Sequence, residues 1–194
     1  MKMKLKGILS VTMMLAVVSF MSCGGPKETG KKDSNFQEIS IPCQDKGYSD
    51  AEFFRAAGSG KSRNLATSKD KAMLNAKTRL AGLINSTIKS VTEQYTNEID
   101  VGDASEFEQS FEQMTRDVVK QQLLETAVTC EKTGTNSQSG LYETYLAIQV
   151  KKDVIYNGID EKISKDKKLQ LKYDRMKFKE KFDEEMDKLE RENP

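Results

Sequence analysis

The first hydrophobic feature of the chain is a block without periodicity. Ile8 to Met21 is an apolar stretch of about fourteen residues whose only hydroxyls are Ser10, Thr12 and Ser19. A bilayer-spanning helix needs about 20 apolar residues, so this stretch is too short to span. Residues rich in Gly, Lys, Thr and Ser then run to roughly Ser40, with too few apolar positions to fold alone. Patterning resumes at Ala51. The apolar run from Ala51 to Gly58, with Phe53 and Phe54 adjacent, predicts a strand, and Ser59 to Asn64 a polar turn. From Leu65 to about Ile84, the residues Leu65, Ala72, Ala76, Leu80 and Leu83 recur at helical spacing. Thr67 and Asp70 stand there as in a capping box. Ser86 to Asn97 holds Thr87, Ile88, Val91, Thr92 and Tyr95, a β-rich run that predicts a second strand.

Gly102 and Asp103 punctuate the chain, and Ser105 with Glu108 forms a further capping-box signature. Phe107, Phe111, Met114 and Val118 carry an amphipathic helix on from it to about Leu124. Thr126 to Thr133 and Leu141 to Lys151 read as a hairpin around a polar loop, Gly134 to Gly140. The order β-α-β-α-β-β predicts an α+β domain over 43–152, with helices packed on one sheet. A long charged C-terminal helical arm, 153–194, is expected to follow. Ile155, Ile159 and Ile163 share one face of it, and Phe178, Phe182, Met186 and Leu189 another. A lysine-rich span, Lys162 to Lys181, precedes an acidic one, Asp183 to Glu192. Two readings stay open: a solvated charged face, or a partner contact through Phe178, Phe182, Met186 and Leu189. No heptad is sustained, so a long coiled coil is not expected.

Composition narrows the function classes. The 194 residues suit one domain with extensions. Charged residues make up 31% and hydrophobic ones 37%, more polar than an ordinary compact enzyme. Without Lys2, Lys4 and Lys6 the 31 basic residues become 28 against 30 acidic ones, a balance of −2. Such a chain has no overall field to steer nucleic acid, and nucleic-acid binding is set aside. Histidine is absent, which removes the commonest general base and metal ligand together. Tryptophan is absent too, which weakens a carbohydrate-stacking surface.

Lys2, Lys4 and Lys6 form a positive head before the apolar stretch, the order found in export signals, so 1–22 is expected to be a signal peptide. Ser22 followed by Cys23 resembles a lipobox, with Phe20 where leucine is more usual. The resemblance implies lipidation of Cys23, cleavage before it, and stable membrane anchoring by two or more acyl chains. Residues 23–42 would then be a lipidated flexible tether. By resemblance to known sorting rules, Gly24 after the cysteine favours the outer membrane, on its periplasmic face or at the cell surface.

A wider resemblance rests on Phe54 to Tyr95, where a strand and Gly58-Ser59-Gly60 lead to a helix carrying Ala72, Ala76 and Leu80-Ala81, then a Ser/Thr/Val run. Val118 to Val150, closing with Tyr145, Ala147 and Val150, adds to it. The pattern resembles the small outer-membrane lipoprotein antigen family typified in Helicobacter, with its flagellum-associated relatives. It covers roughly Ala51 to Lys151 and implies a lipid-anchored envelope module without catalysis.

Candidate chemistry is sparse. Gly60-Lys61-Ser62 matches the end of a P-loop, but Arg55 stands where the first glycine belongs, and a nucleotide is not expected. Lipidation of Cys23 would leave Cys43 and Cys130 as an even pair, either bridged or as two separate thiols. Carboxylates such as Glu98–Asp100 and Glu184–Glu185 are scattered, and no calcium-loop spacing occurs. The expectation is therefore a non-enzymatic envelope lipoprotein with no cofactor, acting as a structural or adaptor subunit for an envelope protein partner. The alternative is a lipoprotein that binds a small ligand or cell-wall fragment.

Overall fold

A computed structural model of the chain describes residues 39–192; Cys23, the apolar stretch Ile8–Met21 and most of the tether lie outside them. The elements are β1 (Phe53–Ser62), α1 (Leu65–Glu98), α2 (Ala104–Gln122), β2 (Ala127–Asn136), β3 (Leu141–Lys151), α3 (Lys152–Lys165), α4 (Lys167–Gln170) and α5 (Arg175–Glu192), with a short 3-10 turn at Gln44–Gly47. The fold is α+β: a three-stranded antiparallel sheet in the order β1-β3-β2, with helices packed on it.

The predicted second strand is instead the rear half of α1, which runs unbroken for 34 residues. Its β-branched residues keep helical spacing: Ile84, Thr87, Ile88, Val91, Thr92 and Tyr95 are all buried on one side. Thr87 and Thr92 bond their hydroxyls to the carbonyls of Leu83 and Ile88, four residues back, which satisfies them inside a helix. Periodicity here outweighs β-propensity. The helix starts at an Asn64 cap whose side chain accepts from the Thr67 amide, and α2 starts at Asp103, accepting from Glu106. Both caps precede the residues their sequence signatures suggest.

Gly58-Ser59-Gly60 is not a turn, because β1 continues through it to Ser62. Gly58 and Gly60 face α1 at Ser68, Ala72 and Ala76, and a β-carbon on Gly58 would lie 2.4 Å from the Ala76 amide nitrogen. Only hydrogen side chains let strand and helix backbones meet this closely. Gly58→Ala is expected to lower stability by about 3 kcal/mol, at the upper end of overpacking effects. A urea melt checks this, and a loss below about 1 kcal/mol would mean that the helix lifts away freely. The hairpin is longer than expected, closing over residues 137–140, where Asn136 accepts from the amides of Gln138 and Ser139.

The division at residue 153 also changes. Residues 40–192 belong to one compact unit, and α3–α5 supply part of its core. Ile155, Ile159 and Ile163 are buried, and Phe178, Phe182 and Met186 are 0, 1 and 0% exposed. Phe178 packs on Tyr95, Phe111 and Tyr173, and Phe182 on Phe54 and Tyr156. The Tyr95 hydroxyl donates to the Lys172 carbonyl and accepts from the Asp174 amide, fixing the turn before α5. Charged positions of α5 face neighbours as well: Lys181 pairs with Glu98 at 2.7 Å and Asp183 with Lys152 at 3.2 Å. Burial pushes the Asp183 carboxyl up, but hydrogen bonds from Lys179 and Lys152 outweigh it and hold the group below its ordinary value.

Candidate functional site

Of the sequence candidates, Cys23 lies outside the described residues, and the others divide. Phe178, Phe182 and Met186 are closed inside the core, and Leu189 is partly buried against it. An apolar stripe that completes its own domain's core cannot also present a docking face, so the partner-contact reading of the arm is corrected. Gly60-Lys61-Ser62 lies in the end of β1 with Lys61 paired to Glu143 at 2.9 Å, and forms no loop around a phosphate.

Cys43 and Cys130 are joined by a disulfide with their Cα atoms 5.6 Å apart. Cys43 sits with Ala57 and Ala147 on the sheet face opposite α1, packed on Tyr145. The segment carrying it crosses that face, with its 3-10 turn against β1 and β3. Cys130 is the fourth residue of β2 and stands just after a register shift that follows Val128. Its bond therefore ties the N-terminal segment to a strand that otherwise leans mainly on β3.

The concave polar surface lies elsewhere, between the rear half of α1 and α2. This groove has a volume of about 480 Å3. Along α2 it runs from Ser105 to Arg116, about 16 Å at the helical rise. Among the lining residues, Asn85 of α1 and Thr115 of α2 each carry a side-chain oxygen, Oδ1 and Oγ1, that is closed off from solvent and has no hydrogen-bond partner. Thr115 is 2% exposed and follows the core positions Phe111 and Met114 on the same helix. Buried polar groups are nearly always paired, so each of these oxygens costs the fold its lost hydration.

The rim is charged, with Lys89 and Arg116 against Glu93, Glu108 and Glu112. Lys89 lies 3.7 Å from Glu93, and Arg116 lies 2.5 Å from Glu112, each pair one turn apart on its own exposed helix face. Glu108 accepts the Thr96 hydroxyl at 2.9 Å. Ile88 is the apolar member of the lining, which includes no aromatic ring. These residues escape sequence reasoning because a polar residue on an amphipathic helix reads as solvated. Thr115 alone leaves a trace, standing at core spacing between Phe111 and Val118. Thr115→Val is expected to raise stability by about 1–2 kcal/mol, since a buried unpaired polar group costs about 1–3 kcal/mol. A thermal melt tests it, and a lowered midpoint would mean that the hydroxyl is paired.

The groove offers hydrogen-bond acceptors and both signs of charge. Among the described residues no cluster of three or more His, Cys, Asp or Glu could hold a metal ion, and no helix is long and apolar enough to cross a membrane. No family model, no curated protein and no solved structure matches the chain.

Proposed function

We propose that this chain is a lipid-anchored protein of the bacterial envelope, held at the outer membrane through acylated Cys23. It acts without catalysis, as a structural or adaptor subunit for other envelope proteins, like the small outer-membrane lipoprotein antigens it resembles. The observation that carries the reading is the Cys43–Cys130 bond, because protein disulfides persist in oxidising compartments and are rare in the cytosol. The bond begins twenty residues after Cys23, so export signal, anchor and disulfide agree on one side of the inner membrane. With Phe178, Phe182 and Met186 inside the core, the adaptor contact falls to the polar exterior. A second reading, binding of a small ligand or cell-wall fragment, draws on the α1–α2 groove, whose volume lies in the range of ligand sites.

Metabolic labelling with an alkyne palmitate, followed by membrane fractionation, tests the anchor. Wild-type chain is expected labelled and membrane-bound, and Cys23→Ser unlabelled and released. An unlabelled, soluble wild type would overturn the anchor. Crosslinking in the producing cells is expected to yield one discrete adduct with an envelope protein. Recovery of the chain alone would count against the adaptor role and leave the second reading.

A further inference from the structure

We infer that the turn before α5 is a contact surface for a bilayer bearing anionic phospholipids, with Leu171 and Met176 as its apolar points. The inference rests on the anchored reading, which holds the domain close to a membrane. Leu171 and Met176 are 89 and 83% exposed, the largest values of any bulky apolar side chain among the described residues. They flank the short connection from α4 to α5, where the Tyr95 hydroxyl bonds the Lys172 carbonyl and the Asp174 amide. Two apolar side chains thus stand in water on a backbone that is held in place.

Cations surround them. Residues 167–177 carry Lys167, Lys168, Lys172, Arg175 and Lys177 against one acid, Asp174. Lys168 and Lys172 line a single hollow with Leu171. Asp174 is turned onto the amides of Met176 and Lys177, and Asp166, just before the span, onto those of Lys168 and Leu169. Glu106 of α2 takes Lys168 at 3.5 Å, and Asp160 of α3 takes Arg175 at 3.1 Å. Among the described residues, no carboxylate pairs with Lys167, Lys172 or Lys177.

Exposed aliphatic points among lysines suit a bilayer surface. The apolar points enter the headgroup boundary, and long lysine stems keep their ammonium groups among the phosphates. An acidic protein is the poorer match, because four of the five cations are lysines, which protein interfaces disfavour. Cys23 and Ile39 are sixteen positions apart, a reach of up to about 55 Å. The 34 residues of α1 measure about 50 Å, so the anchor allows this end of the domain to meet the same bilayer.

The test uses the full chain as purified from its producing cells, mixed with vesicles that carry a trace of diazirine-bearing phospholipid. One set is equal parts phosphatidylglycerol and phosphatidylcholine, and the other is phosphatidylcholine alone. Light-induced lipid adducts are mapped by mass spectrometry. They are expected within residues 167–177 on the phosphatidylglycerol vesicles, and at least tenfold fewer on phosphatidylcholine or in high salt. Two double variants accompany wild type, Leu171→Ser with Met176→Ser and Lys167→Glu with Lys177→Glu; all four positions are exposed, so the core stays untouched. Each is expected to lose adducts at 167–177 at least tenfold. Adducts that are absent from this span, equal on both vesicle sets, or unchanged in either variant would overturn the proposal. So would crosslinking in the producing cells that joins the span to an acidic protein while vesicles leave it unmarked, which would make it a protein interface. Palmitate labelling is read separately: a labelled chain without adducts at 167–177 defeats this contact and spares the anchor, and an unlabelled chain with them does the reverse.

Discussion

Truncation after Lys152 is expected to leave a chain that no longer unfolds as a cooperative unit. The cut removes Ile155, Tyr156, Ile159, Ile163, Leu169, Phe178, Phe182 and Met186, all buried. Full burial of one such side chain is worth about 1.5–3 kcal/mol, so eight of them, about 12–24 kcal/mol, match or exceed the roughly 5–15 kcal/mol by which a native domain is stable. The loss is also structural. Phe54, Tyr95 and Phe111 would face water along the side that α5 covers, and Tyr95 would lose both hydrogen bonds of its hydroxyl. Near-ultraviolet circular dichroism and a urea melt of the truncated chain read this directly. A sharp transition with an undiminished denaturant slope would mean that residues 40–152 hold a core of their own.

The second large effect concerns the disulfide. Replacing Cys43 and Cys130 together by serine is expected to lower stability by about 4–5 kcal/mol, the chain-entropy value for a loop as long as their separation of 87 residues. Two local effects of opposite sign accompany the general one, relief of backbone strain and loss of apolar cover. Cys43 holds a left-handed backbone conformation at φ 61°, which L residues adopt at a cost of about 1–2 kcal/mol. Without the bond, little compels the segment to stay there, and Ala57 and Ala147 lose their cover on the open sheet face. Urea midpoints of wild type, reduced wild type and the double variant measure the difference. Equal midpoints for all three would mean that the bond constrains nothing the fold does not already hold.

Where periodicity was long and unambiguous, the fold was legible in the sequence. The start of α1, the whole of α2, the β2–β3 hairpin and the inward faces of Ile155–Ile163 and Phe178–Met186 all follow from spacing. Two features did not. The rear half of α1 was hidden by residue type, since Thr87, Ile88, Val91 and Thr92 favour strands wherever neighbours do not decide otherwise. The docking of α5 was hidden because charge blocks are averages over all faces of a helix. Phe178, Phe182 and Met186 share one narrow face, while the lysines and glutamates that dominate the composition occupy the rest. The groove was least legible of all. Asn85 and Thr115 acquire their meaning only when two consecutive helices fold back side by side, and nothing local marks a polar atom that will lack a partner.

The proposed N-terminal anchor would make the domain bear pulling as well as heat. Tension arriving from the N-terminal side reaches Cys43 first. Without the bond to Cys130 it would strip the segment around Gln44–Gly47 from the sheet one contact after another, as a strip of tape is peeled. With the bond, the load passes at once into β2, and from there across its ladder to β3, where many hydrogen bonds share it. The crosslink between residues 87 positions apart is thus also a mooring point.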